Sequence, residues 1–320
     1  MPPEAQALIN QNKKYRLITR SDMDGLVSAV LLKEIGLVDE VTFAHPKDMQ
    51  DGIIDITRED ITTNLPYNDN VFLSFDHHKS EMERVSGTPD NLILDPDAPS
   101  AARVVYDYLG GASAFPNISE DMMVAVDKAD SAAFSKEDIL NPQGWDLLSF
   151  IMDARTGLGR FRNFRISNYQ LMMELIDYCR EVTDIESILE LPDIKERVDL
   201  YLEHEDKFKE QIKRCAEIKG NVCVMDLRNE QTIWPGNRFM IYALHPDTNI
   251  SVHVMWGKNR QNTVFAVGKS ILDKSSEANV GELMLKYGGG GHNAAGTCQV
   301  ENLKADKYLE EIVTELQEAG

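Results

Sequence analysis

The chain has 320 residues, 42% of them hydrophobic, enough to bury a sizeable core and, at this length, to suggest two domains. Its 53 Asp and Glu against 33 Lys and Arg give a formal net charge of −20, which argues against long duplex DNA as a partner but leaves a short nucleotide or phosphorylated small molecule open, since metal ions supply positive charge locally. Cys179, Cys215, Cys223 and Cys298 show no paired spacing, the amino terminus has no signal or transit pattern, and no apolar run approaches the roughly 20 residues that cross a bilayer, so a soluble cytoplasmic protein with no membrane partner is expected.

In chain order, Tyr15-Arg16-Leu17-Ile18-Thr19 predicts a short strand that breaks into Arg20-Ser21-Asp22-Met23-Asp24-Gly25, after which residues 26–35 predict a helix stopped by Gly36. Asp22 and Asp24, two apart on a strand-to-helix turn, face the same way, and Gly25 permits a tight turn. That is a hard-metal site in outline; an Asp-rich helix N-cap has the same composition. Residues 41–45 and 60–66 predict two more strands, with Asn64 near the end of the second, where a neutral amide coordinates weakly or hydrogen-bonds without adding charge. Val71-Phe72-Leu73-Ser74-Phe75 then runs into Asp76-His77-His78. Such a run suits a buried parallel strand carrying polar groups at its carboxyl end, where open α/β sheets place ligands; a strand end with a surface His pair is the alternative. Adjacent histidines on an extended segment point opposite ways, so one is expected to bind a metal or phosphate while the other orients it.

Ser100 predicts the cap of a helix over 101–109. A further helix over 119–129 ends near Asp127 and Asp130, where negative charge at a helix carboxyl end calls for metal ligation or simple exposure. Residues 145–164 mix aromatics with basic residues, and Arg155, Arg160, Arg162 and Arg165 form the notable positive cluster, a cover facing an anionic substrate or a set of partners for surface acids. Ile194, Val198, Tyr201, Phe208, Ile212 and Cys215 recur at steps of three and four once Glu205, the one charged intruder, is counted between Tyr201 and Phe208, predicting one long amphipathic helix from Asp193 to Lys219, ended at Gly220. Residues 222–227, 238–243, 250–256 and 263–268 predict four strands of a second sheet. A helix over 280–286 then leads into Gly288, Gly289, Gly290, Gly291, His292 and Asn293. Four consecutive glycines are costly in chain entropy, and bare amides beside a histidine suit a phosphate; a hinge is the alternative.

Taken in this order, Ser21-Asp22-Met23-Asp24-Gly25, Phe75-Asp76-His77-His78, Ala129-Asp130-Ser131 and Gly288-Gly289-Gly290-Gly291-His292-Asn293-Ala294-Ala295-Gly296 resemble the signature motifs of the DHH phosphoesterase superfamily, in its subgroup with the DHH-associated C-terminal domain. The resemblance covers nearly the whole chain. That family includes nanoRNases, pAp phosphatases, single-strand exonucleases, cyclic-dinucleotide phosphodiesterases and relatives called exopolyphosphatases, which use Mn2+ or Mg2+ to direct water at phosphorus. The resemblance implies that Asp22 holds one metal and Asp24 the other, with His77 and Asp130 completing the second site, His78 on the phosphate and Asp76 orienting the His pair.

Two positions depart from the family's pattern. Arg20 stands where the family usually has His or Asp, and Asn64 is the best placement for its usual bridging aspartate, with Asp48, Asp51, Asp55 and Asp60 as competing placements upstream. One tight Mn2+ or Mg2+ is therefore expected through Asp24, His77 and Asp130, with a second ion weak or substrate-dependent, and Arg20 offers a fixed positive charge on the phosphate. The expected protein is α/β: a parallel-sheet metal domain (1–192), a connector helix (193–219) and a smaller α/β substrate-binding domain (220–320), with the active-site cleft between them. Its expected reaction is hydrolysis of a phosphodiester, phosphomonoester or phosphoanhydride in a short nucleotide or polyphosphate. The alternative is a nucleotide- or phosphate-binding protein that kept the fold and lost part of the chemistry; a homodimer is compatible with both.

Overall fold

The computed structural model describes residues 3–87, 89–161 and 163–320, so Arg162 of the predicted basic cluster lies outside the described residues. Two compact units are present, one formed by residues up to 133, 143–154 and 159–199, the other by 134–142, 155–158 and 200–320. They interleave along the chain, where the sequence suggests contiguous domains. Among the described residues no helix is long and apolar enough to cross a membrane.

The first unit is built on strands β1 (Tyr15–Thr19), β2 (Val38–Phe43), β3 (Asp60–Thr63), β4 (Leu73–Asp76) and β5 (Leu92–Leu94), in the spatial order β2-β1-β3-β4-β5 with every pairing parallel. All residues of β3 and β4 are buried, as expected of strands covered on both faces. Helix α1 (Met23–Glu34) is buried continuously from Met23 to Leu32, and packs against α2 (Ala101–Tyr108) and α3 (Glu120–Asp130). The chain leaves β1 towards β2 on one side and returns to β3 on the other, so the strand order reverses between β1 and β3. In open α/β sheets ligands sit at such a switch point, outside the carboxyl ends of the strands. Register aligns those ends, since Thr19 pairs with Thr63 and Thr63 with Phe75; the next residues are Arg20, Asn64 and Asp76.

Helix α4 (Pro192–Cys215) carries the chain from the first unit into the second. It stops four residues before the predicted end, because Ala216–Lys219 form β6, a hairpin partner of β7 (Val222–Asp226) around a two-residue turn with Gly220 at φ +60°. The glycine read as a helix stop is a hairpin glycine. With β8 (Ile250–Trp256), β9 (Thr263–Lys269), β10 (Gly290–His292) and β11 (Ala295–Val300), these strands make a mixed sheet in the order β10-β11-β9-β8-β7-β6. Val224, Val252, Val254, Phe265 and Val267 pack there with α6 (Val280–Lys286) and α7 (Ala305–Glu318), through Leu283, Met284, Ile312 and Leu316. The predicted strand over 238–243 is instead helix α5 (Met240–Leu244), with Met240 to Ala243 all buried. A short, uniformly apolar run looks the same as a buried strand or a buried helical turn, and its tertiary setting decides. Here Tyr242 hydroxyl reaches across to Ser251 Oγ at 2.8 Å and the Gly268 carbonyl at 2.7 Å.

Candidate active site

The carboxyl edge of the first sheet collects its polar residues by backbone necessity. After β1 the chain turns through Arg20-Ser21 into α1, with Asp22 as N-cap accepting from the Gly25 amide at 3.0 Å. The turn requires glycine at 25: a Cβ there stands 1.9 Å from the Arg20 carbonyl oxygen. Asp24, one residue earlier and fully buried, accepts from the amides of Ala101 at 3.0 Å and Ala102 at 2.6 Å, the first turn of α2. The capping and metal readings of this turn are thus divided between two residues: Asp22 caps its own helix, and Asp24 sits on the positive end of another.

Asp76 closes β4. Its Oδ1 accepts from the His77 amide at 2.8 Å, the His78 amide at 3.3 Å and His78 Nδ1 at 2.8 Å. His77 Nδ1 faces the Ala98 carbonyl at 3.2 Å, which leaves Nε2 as the forward atom. That Nε2 is buried and makes no aligned hydrogen bond, although it lies 2.9 Å from Asp130 Oδ2 at the end of α3. Donor atoms of Asp24, His77 and Asp130 all lie within 4.8 Å of one another. Two carboxylates and an imidazole whose forward nitrogen faces one of them fit a divalent cation such as Mn2+ or Mg2+. The electrostatics agree. Burial pushes the Asp24 carboxyl well up, and the carboxylates of Asp130 and Asp22 push it further. Burial alone lowers His77, but Asp130 and Asp24 outweigh it and hold the imidazole up to about 9. Asp76, His77 and His78 also converge, but Asp76 Oδ1 already serves three donors and acts on the histidines.

Contrary to the alternation expected of an extended pair, the rings of His77 and His78 stand side by side, 4.5 Å apart, because β4 ends at Asp76 and His78 already caps the helix that follows. His77 turns inward; His78, its side chain 41% exposed, faces solvent.

On the β1/β3 side, Asp22 Oδ2 lies 3.2 Å from Arg20 Nε, and its Oδ1 takes a long bond of 3.4 Å from Asn64 Nδ2 besides the Gly25 amide. Asn64 is buried at φ +55°, a left-handed conformation that asparagine tolerates, and its Oδ1 has no hydrogen-bond partner. Of the competing aspartates, Asp60 starts β3 at the opposite edge and pairs with Arg16 at 2.7 Å, while Asp51 pairs with Lys47. Asp127, flagged with Asp130 as a charge needing a reason, is held by Arg103 at 2.6 Å and the Ser100 hydroxyl at 2.8 Å. Of the basic cluster, Arg165 lies 3.6 Å from Asp193, a pairing with an acid of the kind the sequence left open, and Arg155 and Arg160 belong to different units.

In the second unit, the amides of Gly288 and Gly289 already donate to the carbonyls of Leu285 and Met284 at the end of α6. A Cβ on Gly289 meets the Thr297 carbonyl at 2.0 Å, and one on Gly291 meets the Ala295 carbonyl at 2.3 Å, so close backbone packing of β10 on β11 accounts for two of the four glycines. Only Gly288 and Gly290 have open space at the Cβ position. His292 is exposed at the end of β10, and Asn293 Oδ1 accepts from Lys269 Nζ at 3.1 Å, a cation beside the motif that sequence reading missed because it arrives from β9. The Ala98 carbonyl behind His77 was missed as well, since a backbone group has no residue signature.

No family model and no curated protein matches the chain. Among solved structures, the pGpG-specific phosphodiesterase PggH from Vibrio cholerae is 57% identical, with 96% of this chain and 100% of that one covered and a TM-score of 0.85. The DHH domain of a member of the s1p family of ribosomal proteins (13% identity, 99% and 89% covered, TM-score 0.60) and CDC45 from Entamoeba histolytica (10%, 97% and 96%, TM-score 0.55) are alike in fold. With a relative 57% identical across nearly the whole of both chains, and a two-domain α/β fold that it shares, the chain belongs to the DHH phosphoesterase superfamily.

Proposed function

We propose that the chain hydrolyses the phosphodiester of a short linear dinucleotide of the pGpG class, giving two mononucleotides, with one divalent ion, Mn2+ or Mg2+, held by Asp24, His77 and Asp130. The convergence of those three side chains, their donor atoms all within 4.8 Å of one another, carries the reading. The substrate class is taken from PggH, a pGpG-specific phosphodiesterase at 57% identity. When bound, the ion supplies positive charge to a phosphate oxygen and acidifies a water. The water oxygen bonds to phosphorus, the P–O bond to the 3′-oxygen of the leaving nucleotide breaks, and one water proton ends on that oxygen. His78, fixed through Nδ1 on Asp76, has Nε2 free to hold or pass that proton or to bond the phosphate. His292, with Gly290, is proposed to bind a phosphate group of a nucleotide.

Release of mononucleotide or phosphate from pGpG, other linear dinucleotides, pAp, cyclic di-GMP and polyphosphate, assayed with added Mn2+, tests the reading. Preferential turnover of linear dinucleotides, lost in Asp130→Asn, is the expected result; release from none of the panel overturns it. His292→Ala should raise KM with metal affinity unchanged, and an unaltered KM removes His292 from the substrate site.

A further inference from the structure

We propose that Arg20 is a built-in cation of the reaction, binding the scissile phosphate directly, so that the site takes one tight divalent ion and not two. The inference rests on the phosphoesterase reading. Its ground is the different chemistry of the two sides of the sheet edge. On one side, carboxylate oxygens of Asp24 and Asp130 converge with His77 Nε2, all within 4.8 Å, a donor set suited to a divalent ion. On the other, Asp22 is already compensated. Its Oδ2 faces Arg20 Nε at 3.2 Å, and its Oδ1 takes the Gly25 amide at 3.0 Å and Asn64 Nδ2 at 3.4 Å. One carboxylate against one guanidinium leaves no net negative charge there to draw a second ion, and the Asn64 amide adds none.

The guanidinium itself is only partly spent. Asp22 engages Nε, and no bond from either Nη group to another described residue is present, so four N–H donors remain. The side chain is 34% exposed, enough for a ligand to reach. A guanidinium is planar, always charged and matched to two phosphate oxygens at once, which a hydrated ammonium is not. Arg20 stands directly after β1 at the switch point, and Asp22 and Asp24 lie two residues apart on the turn that follows, so the two sides border one site. Negative charge that accumulates on the non-bridging oxygens as water attacks would be met by the Nη donors of Arg20, with further positive charge supplied by an ion when Asp24, His77 and Asp130 hold one. Asp22 is a positioning residue that aims the fork. Asn64, directly after β3, adds a long contact from its Nδ2 to Asp22, and its own Oδ1 is buried and unpartnered.

Titrating the whole protein with Mn2+ by calorimetry should give one tight ion per chain, in the wild type and in Arg20→Ala alike. Binding of a methylene-phosphonate analogue of pGpG to the Mn2+-loaded protein should weaken at least tenfold in Arg20→Ala. Turnover of pGpG should fall by about 10²- to 10³-fold. Arg20→Lys should restore less than Arg20→Ala supplemented with free guanidinium, because the fork and not the charge alone is required, and thermal melting checks that each variant folds. Two equally tight ions in the wild type, or Arg20→Ala with unchanged analogue affinity and turnover, overturns the proposal while leaving the phosphodiesterase reading intact. The converse result, no turnover of any diester by the wild type but an Arg20-dependent affinity for the analogue, removes the enzymatic reading and keeps Arg20 on the phosphate.

Discussion

His77 carries a proton and a prospective metal on the same atom, and the two compete. Without metal its imidazole is held up to about 9, above the usual value near 6.5, by Asp130 and Asp24 against the opposing effect of burial. A group raised on folding contributes stability that is fully present below about pH 6.5 and is lost as pH rises through about 9. A divalent ion needs Nε2 deprotonated, so loading near pH 7 releases the imidazole proton, together with any the raised Asp24 carboxyl still holds, and metal affinity rises with pH until about pH 9. Calorimetry in buffers of different ionisation enthalpy counts the protons released, and a pH-independent affinity contradicts the assignment of Nε2. The loaded protein should also escape the alkaline loss of stability, which melting curves with and without Mn2+ measure. The candidate ligands were legible one by one, because carboxylate and imidazole at strand ends are residue-level signals. What aims them was not: the Ala98 carbonyl and the Ala101 and Ala102 amides act through backbone that any residue supplies.

Between residues and sheet, the turn from β1 into α1 delivers Asp22 to one side of the site and Asp24 to the other, and Gly25 makes it feasible. An added methyl stands 1.9 Å from the Arg20 carbonyl and 2.8 Å from Thr19 Oγ1, so Gly25→Ala should cost about 1–3 kcal/mol in denaturant unfolding and weaken Mn2+ binding as well. Unchanged affinity means the turn does not set the ligand positions. This element was legible because a strand, a turn glycine and a helix each left a local pattern. The 238–243 segment was not, since α5 is an apolar run too short to show either period. The glycine run was legible as special but not for its main reason. Gly289→Ala should destabilise the second unit, as its Cβ meets the Thr297 carbonyl, whereas Gly290→Ala has open space and should leave melting unchanged. If Gly290 lets a ligand approach the backbone, that silent variant should still raise KM several-fold; a normal KM assigns the run to packing alone.

At the scale of the molecule, a chain of net charge −20 is proposed to take an anionic dinucleotide, and these signs repel. Attraction then has to be local, through Arg20 and the bound ion, while beyond a Debye length, about 8 Å at physiological ionic strength, the substrate meets a negative protein. Salt screens the long-range repulsion first and leaves short, partly buried contacts less affected. At saturating Mn2+, kcat/KM for pGpG should therefore rise or stay level as NaCl increases from about 0.01 to 0.15 M. Proteins that bind nucleic acid through a basic surface behave oppositely, losing affinity steeply with salt as counterions are released. The sign of this dependence could be read from composition alone, because it needs only the total charge. The local exception could not, because it depends on a strand order that brings Arg20 beside the ends of β3 and β4. A steep fall of kcat/KM over that range, with the metal site verified as full, points to a positive surface beyond Arg20 and the ion, and contradicts local attraction as the means of capture.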